Sequence, residues 1–509
     1  MDSIPDQFLF INKTAKSGSL SHSKSKEKAD IYSYVHSKYH KDRKAPVGQS
    51  KLEACTALAS CAIISSTIVP KKTACGKSSA RHRESNRVKK IIAKDMNLGL
   101  YSHLNDHAMD PFFCSSVTID AKDQHLLYYP FKCFLETTFR AESFSDSALI
   151  GAFRHKEAVT RRLRRCVIDD LTMYTTLAYC ASCMRWTVGE DDPERPAELY
   201  VVKAIEALRT RLENAQVVDS WLILSIYALA VSEMWAQNFD AAAAHLKMVL
   251  HFAIQLGGIF KLDSYLMESI LLCDKYVAIG RFEPQVLPLS WEPTPLPNTK
   301  MIEIQTCTKP ILGGLGQGFI GIAKDVLGDN LKLIVNDTVT CIQAAEYAKT
   351  KSLNTSDDQR WLFLRHQALV SRLLSLHCET HAQACTRIAL LVWLLKITAY
   401  FGAQRWAKKL LPKLKAATLQ LSSSGEWVPS SLIFWMTCLG AMTAEYTEER
   451  DWFLERTLKI ARSLDVPIEK EAFRQILQRY FFINSEDGLQ FFRMVRAVRE
   501  MESGAESDC

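Results

Sequence analysis

A C-x-x-C pair is the first motif in this chain whose residue types and spacing could support chemistry. Cys180 and Cys183 have the spacing used by zinc sites and by thioredoxin-type redox centres. No second pair completes a zinc site, and the segment continues an apolar helix from Leu171 rather than lying in a βαβ unit. We therefore expect both cysteines to be buried helix residues.

A second motif combines His377 and His381 with Cys385, residues that would share one stripe of a continuous helix and could approach a metal ion. The metalloprotease helix needs a glutamate directly after its first histidine, and this chain has Cys378 there. A polar stripe near a helix junction is the interpretation we favour over a metal site. No cofactor is predicted.

Gly316, Gly318 and Gly321 spell the dinucleotide-binding pattern G-x-G-x-x-G. That fingerprint requires a preceding hydrophobic strand and a βαβ unit, whereas the surrounding pattern here is helical. We interpret the glycines as a flexible connector. The chain also has neither a nucleophile elbow nor a P-loop, so no catalytic residue is assigned and we expect a protein that is not an enzyme.

Basic residues form the remaining candidate sites, and most lie near the N-terminus. Residues 1–94 contain 19 Lys and Arg against 7 Asp and Glu, while residues 95–509 contain 44 against 49. Such an arm is typical of nuclear import signals and of segments that contact nucleic-acid phosphates, although a merely solubilising tail is the alternative. The candidate residues are Lys38, Lys41, Arg43, Lys44, Lys71, Lys72, Arg81, Arg83, Arg87, Lys89 and Lys90.

A further basic cluster comprises Arg161, Arg162, Arg164 and Arg165. Asp169 follows Arg165 by four residues, which is the spacing of an ion pair on a helix surface. We expect an ordinary solvated helix face here.

Apolar residues recur with helical periodicity through almost the whole body of the chain. One amphipathic helix, from Phe239, ends at the glycine stop Gly257-Gly258. Helices are predicted at about 147–186, 196–214, 219–237, 262–280, 330–352, 358–400, 430–446, 448–464, 467–482 and 485–502. Alternating strand patterns are absent, so the predicted class is all-α, a multi-helix array or bundle with a disordered basic N-terminal arm.

Composition shifts divide the chain into five segments. The predicted organisation is a basic, largely disordered arm over 1–94, a first helical half over 95–283, a Pro-rich linker over 284–310, a second helical half over 311–500 and a frayed acidic tail over 501–509. The two halves could still pack into one unit. Neither a secretory signal nor an apolar run long enough for a membrane span is found, so we expect the chain to stay inside the cell.

Several stretches resemble the fungal-specific transcription factor family. They are Phe8-Leu-Phe-Ile-Asn12, Ile31-Tyr-Ser-Tyr-Val-His36, Lys41-Asp-Arg-Lys44, Asp110-Pro-Phe112, Leu126-Leu-Tyr-Tyr129, Asp240 to Gly258, Leu432-Ile-Phe-Trp435, Gly440-Ala441 and Arg450-Asp-Trp-Phe453. Those from Asp110 onward are spread over most of 110–500, and they carry helix-packing residues rather than chemistry. The family's six-cysteine zinc cluster, which begins C-x2-C-x6-C, does not occur in this chain. Direct reading of the major groove by that module is therefore not expected.

The resemblance implies a nuclear regulator of transcription, acting on a metabolic gene set such as one for secondary metabolites. Its helical body would bind an effector or other transcription regulators, with DNA a candidate partner of the basic arm and a homodimer a candidate assembly. No membrane partner is expected. The alternative is a helical adaptor or scaffold protein that does not bind DNA.

Overall fold

The computed structural model describes residues 117, 119, 123 and 126–127 and then 155–507, with gaps at 189–195, 215–217, 352–355, 398–402 and 445–446. The helices belong to one compact unit, Lys122–Cys509. Every regular element in these described residues is a helix, which confirms the predicted all-α class. The predicted basic arm, residues 1–94, lies outside the described residues.

Before the proline-rich segment, the described helices are α1 (His155–Ile168), α2 (Asp170–Val188), α3 (Ala197–Asn214), α4 (Ser220–Trp235), α5 (Phe239–Gln255) and α6 (Ser264–Arg281). Aspartates start three of them, because a carboxylate there accepts a backbone N–H that the first helical turn leaves unpaired. Asp169 accepts from Thr172 at 3.2 Å, Asp219 from Leu222 at 2.8 Å and Asp263 from Leu266 at 3.0 Å. The cap at Asp169 divides the helix predicted over 147–186 into α1 and α2.

After that segment the described helices are α7 (Asn298–Leu312), α8 (Lys324–Lys351), α9 (Ser356–Ser375), α10 (His381–Ile397), α11 (Ala403–Lys409), α12 (Leu411–Ser423), α13 (Ser430–Thr443), α14 (Arg450–Ser463), α15 (Lys470–Leu477) and α16 (Asn484–Ser507). The single helix predicted over 358–400 is two helices, α9 and α10. The tail predicted to fray from residue 501 is helical as far as Ser507.

Helix α5 ends at the predicted glycine stop. Gly257 and Gly258 have φ of 94° and 106°, a region in which a side chain would be strained. The Gly258 N–H donates to the carbonyl oxygen of Ala253 at 2.8 Å and so satisfies one carbonyl of the last turn.

Helix α6 lies at the centre of the unit, since every residue from Leu266 to Ile279 is buried. It packs against α4 and α5 on one side and against α9 and α11 on the other, so the two predicted halves share one core. Helix α10 has a similar role among the later helices and contacts α8, α9, α11, α12 and α13.

Aromatic side chains join α11 to the earlier helices. Trp406 is fully buried, and its ring centroid lies 5.1 Å from that of Tyr276 and 5.7 Å from that of Trp186. The Lys409 ammonium lies 5.0 Å from the Trp406 ring and donates to Gln237 Oε1 at 2.7 Å. Burial lowers the pKa of Lys409, yet the rings and the amide still hold the ammonium in place.

The Pro-rich segment is not a linker over its whole predicted length of 284–310. Its last part is helical, because α7 begins at Asn298 and includes Pro310, and the helix extends only two residues beyond that proline. The preceding part packs against its neighbours: Trp291 is buried, and the carboxylate of Asp274 accepts the backbone N–H groups of Val286 and Leu287 at 2.9 and 2.8 Å.

Ion pairs hold the same segment against α9. Glu292 binds Arg365 at 2.7 Å and Arg372 at 3.3 Å, and Asp337 of α8 binds both arginines from the other side. The Trp361 indole N–H also donates to the Thr294 carbonyl at 2.8 Å. These contacts fix the segment to the later helices.

Candidate functional site

A buried arginine on α1 is a candidate binding group. Arg162 is only 7% exposed. Its Nε donates to Thr176 Oγ1 at 2.8 Å, and its guanidinium lies 5.3 Å from the ring centroid of Tyr179. Nη2 has no hydrogen-bond partner among the described residues, and none of the described carboxylates forms an ion pair with this side chain. Within the part of the chain that the structure describes, this buried cation therefore has no counter-charge.

One face of α2 lies against this guanidinium. Thr172, Thr176, Tyr179, Cys180 and Cys183 follow one another at intervals of four, three, one and three residues, the spacing of a single helix face. The Thr176 hydroxyl donates to the Thr172 carbonyl at 2.6 Å while accepting from the arginine. It is therefore satisfied by its own helix and does not need Arg162 as a partner.

Cys166 completes the contact between the two helices. It lies four residues after Arg162 on α1, and its thiol lies 3.4 Å from Thr176 Oγ1. The pair of positions Arg162 and Cys166 is the stripe of α1 that packs against α2.

The described tyrosines and cysteines around Arg162 are held in their neutral forms. Burial raises the pKa of Tyr179 on α2 and of Tyr227 on α4 well above the ordinary value, and it also raises that of Tyr265 on α6. Burial likewise raises the pKa of the thiols of Cys166 and Cys180. The arginine charge opposes each of these shifts without reversing it. No phenolate or thiolate therefore balances the guanidinium near neutral pH.

The carboxylate of Asp169 is near in sequence but is committed elsewhere. It pairs with Arg165 at 3.7 Å and with Arg211 at 3.4 Å. Its other contacts cap α2. It does not neutralise Arg162.

This arrangement can bind one anionic group. Among the described residues, Arg162 Nη2 is a donor without an acceptor, and a carboxylate or phosphate oxygen is the acceptor that a guanidinium N–H binds most strongly. The buried neutral thiols are poor nucleophiles, which makes binding rather than covalent chemistry the natural use of the site.

Two sequence motifs, the C-x-x-C pair and the basic cluster Arg161 to Arg165, contribute residues to this site. Neither motif predicted the site by itself. Cys180 and Cys183 are fully buried on α2, as expected for helix cysteines. The cluster Arg161 to Arg165 was expected to be a solvated face, and that is wrong for Arg162, although Arg161 and Arg164 are exposed and the Arg165–Asp169 pair is present. The sequence feature that could have indicated the burial of Arg162 was Cys166, a residue of the apolar helix face one turn away.

The histidine motif does not form the predicted stripe. Residues 376–380 are non-helical and α10 begins only at His381, so His377 and His381 are exposed while Cys385 is buried. The Cys385 thiol lies 3.5 Å from both Thr418 Oγ1 and Met436 Sδ. In the described part of the chain, no group of three or more His, Cys, Asp or Glu residues is placed to hold a metal ion.

The glycine motif is tightly packed rather than flexible. Residues Gly318–Ile322 form a π-helical turn, and the Gly316 N–H donates to the Tyr480 carbonyl at 2.9 Å. A Cβ at Gly318 would lie 2.9 Å from the Arg479 carbonyl oxygen. The glycine is needed for close approach of two backbones, which corrects the interpretation of a connector.

The candidate import and phosphate-contact residues, from Lys38 to Lys90, all lie outside the described residues. Among the helices that are described, none is both long and apolar enough to cross a membrane.

The chain matches no protein-family model, no characterised protein and no solved structure. Its function must therefore be argued from its own residues.

Proposed function

We propose that this chain is a regulator of transcription whose helical body binds a small anionic effector at Arg162. The observation that carries the proposal is a buried guanidinium that, among the described residues, has an N–H group without an acceptor and no carboxylate as an ion-pair partner. A buried charge without a partner costs several kcal/mol, and an anion that bound there would recover much of that cost. A ligand of this kind is bound by the folded state and stabilises it.

The transcriptional setting is supported by the sequence resemblance and by the distribution of charge. The resembling stretches within the described body coincide with packed helices: Asp240 to Gly258 is α5 with its stop, Leu432-Ile-Phe-Trp435 lies in α13, and Arg450-Asp-Trp-Phe453 begins α14. The basic arm would supply nuclear import or contacts to DNA phosphates. An organic acid is the class of effector that a metabolic gene set would supply.

The regulatory role is tested by recruiting the full chain to a reporter promoter through a fused DNA-binding module. We expect reporter output to change on recruitment, and the Arg162→Met variant to lose its response to metabolic conditions. The control is Arg165→Met, on the same helix. An unchanged reporter would favour the alternative, a helical adaptor or scaffold.

Localisation is tested separately. A tagged chain should accumulate in the nucleus, and replacing Arg81, Arg83, Lys89 and Lys90 with glutamine should abolish that accumulation. If the replaced chain still accumulated there, the arm would not be the import signal.

A further inference from the structure

Few side chains of α1 are buried, although the helix is 14 residues long. Over residues 161–168, where the structure describes their burial, Arg162 and Cys166 are buried while Leu163 and Val167 are only half-buried. A cysteine is a small side chain, and an arginine gains little from leaving water. The apolar area that holds this part of α1 in place is therefore small.

Helix α2 is the main neighbour of α1 among the described helices. Arg165 also lies 5.8 Å from the ring centroid of Trp221 on α4, but its side chain is 27% exposed, and a cation–π contact at an exposed site contributes little. Helix α6, in contrast, is buried from Leu266 to Ile279 and contacts helices on both sides. Helix α1 is thus attached mainly along one side and by fewer buried groups.

The joint between α1 and α2 is one residue, Asp169. Its carboxylate accepts the Thr172 N–H and pairs with Arg211 of α3 at 3.4 Å, so the start of α2 has contacts that do not involve α1. A change in the backbone angles of Asp169 would therefore swing α1 away and leave α2 in place, which is how hinge residues act.

Undocking of α1 would return Arg162 to water, since this residue belongs to α1 itself. In the docked state its Nη2 has no acceptor among the described residues, and a buried charge without a partner disfavours that state. Undocking also makes the guanidinium accessible to a dissolved anion, whereas the docked side chain is only 7% exposed. An anion carried in by Arg162 would supply the missing acceptor and so favour the docked state.

We propose that α1 is a gate, which undocks from α2 by a hinge at Asp169 and is held closed when Arg162 binds an anion. The second half rests on the proposed effector site at Arg162, whereas the undocking does not. Without the anion, α1 and the face of α2 beneath it are exposed more often, so effector binding changes the surface that a partner meets.

Hydrogen–deuterium exchange of the full chain, resolved by mass spectrometry, tests the gate. Peptides from α1 are compared with peptides from α4 as a buried reference in the same molecule. In chloride buffer the α1 amides should exchange at least roughly ten-fold faster than those of α4, because a helix with few buried contacts opens locally. Inorganic phosphate or succinate, added at constant ionic strength, should slow the exchange of α1 alone.

Arg162→Met should slow the exchange of α1 roughly ten-fold without any anion, since a methionine docks without burying a charge. Phosphate and succinate should then have no effect. Arg165→Met is the matched control on the same helix and should keep the response to both anions. Exchange of α4 at the wild-type rate verifies that each variant is folded.

The undocking would be refuted by α1 amides that exchange as slowly as those of α4, or by an Arg162→Met chain whose α1 exchanges as fast as in the wild type. Equal slowing of α1 and α4 by the anions would mean that they act on the whole unit, which overturns their control of the gate. If α1 opens but neither anion slows it, native mass spectrometry separates the two claims. An anion adduct that needs Arg162 overturns only the control of α1, and the absence of an adduct overturns the proposed effector site as well.

Discussion

Replacing Arg162 with methionine should not destabilise the protein when no anion is bound. The substitution removes one charged hydrogen bond to Thr176, worth about 1.5–3 kcal/mol, and a contact with the Tyr179 ring, worth about 0.5–2 kcal/mol. It also removes the cost of burying the guanidinium, which is several kcal/mol. Thr176 stays satisfied through its bond to the Thr172 carbonyl. We therefore expect a free energy of unfolding equal to that of the wild type or up to about 2 kcal/mol higher.

Urea denaturation of the two proteins in a chloride buffer measures this difference. Arg165→Met is the control, because it removes a partly exposed ion pair whose partner, Asp169, keeps Arg211. The control should change stability by less than about 1 kcal/mol. A loss of about 3 kcal/mol or more in Arg162→Met would refute the reasoning, since that is the cost of breaking a buried pair whose partner is left behind.

Further predictions concern pH, packing and the basic arm. Burial raises the pKa of the Asp274 carboxyl group to about 7, so the folded state binds the carboxyl proton more tightly than the unfolded state does. The stability that this proton contributes is therefore lost as pH rises from about 4 to about 7. Across that pH window the free energy of unfolding of the wild type should fall relative to that of Asp274→Asn, by at most about 1.4 kcal/mol per pH unit. Chemical denaturation at each pH measures both free energies, and a difference between the two proteins that does not change with pH would contradict this. Gly318→Ala should destabilise by about 2 kcal/mol because its Cβ meets a carbonyl oxygen, whereas Gly321→Ala, with no described atom within 4 Å of its Cβ, should be nearly neutral; thermal unfolding compares the two. Neutralising six phosphate-contacting residues of the arm should reduce the log–log salt slope of DNA binding by roughly five, and a salt titration with an unchanged slope would exclude the arm as the DNA contact.

The helical class and several helix ends were predictable because they depend on local sequence. The period of apolar residues and the glycine pair at Gly257 set α5 without reference to the rest of the chain. The linker predicted to extend to Pro310 was too long, because a proline in the sequence was taken to exclude a helix. Helix α7 includes Pro310 two residues before the helix ends at Leu312.

The candidate site was less accessible to sequence reasoning. Four arginines within five residues indicate a solvated surface, and only the packing of α1 against α2 turns Arg162 inward. The tyrosines around it come from α2, α4 and α6, whose approach is a tertiary property. Gly318 is a similar case, because its backbone partner Arg479 is distant in the sequence.

We claim that the helical body binds an anion at Arg162, and native mass spectrometry of the gently purified full chain tests this. The wild type and Arg165→Met should carry a small organic acid or phosphate adduct, or gain thermal stability from one of a panel of such acids at constant ionic strength. Arg162→Met should do neither. Spectra and anion responses that are identical for the wild type and Arg162→Met would contradict the claim.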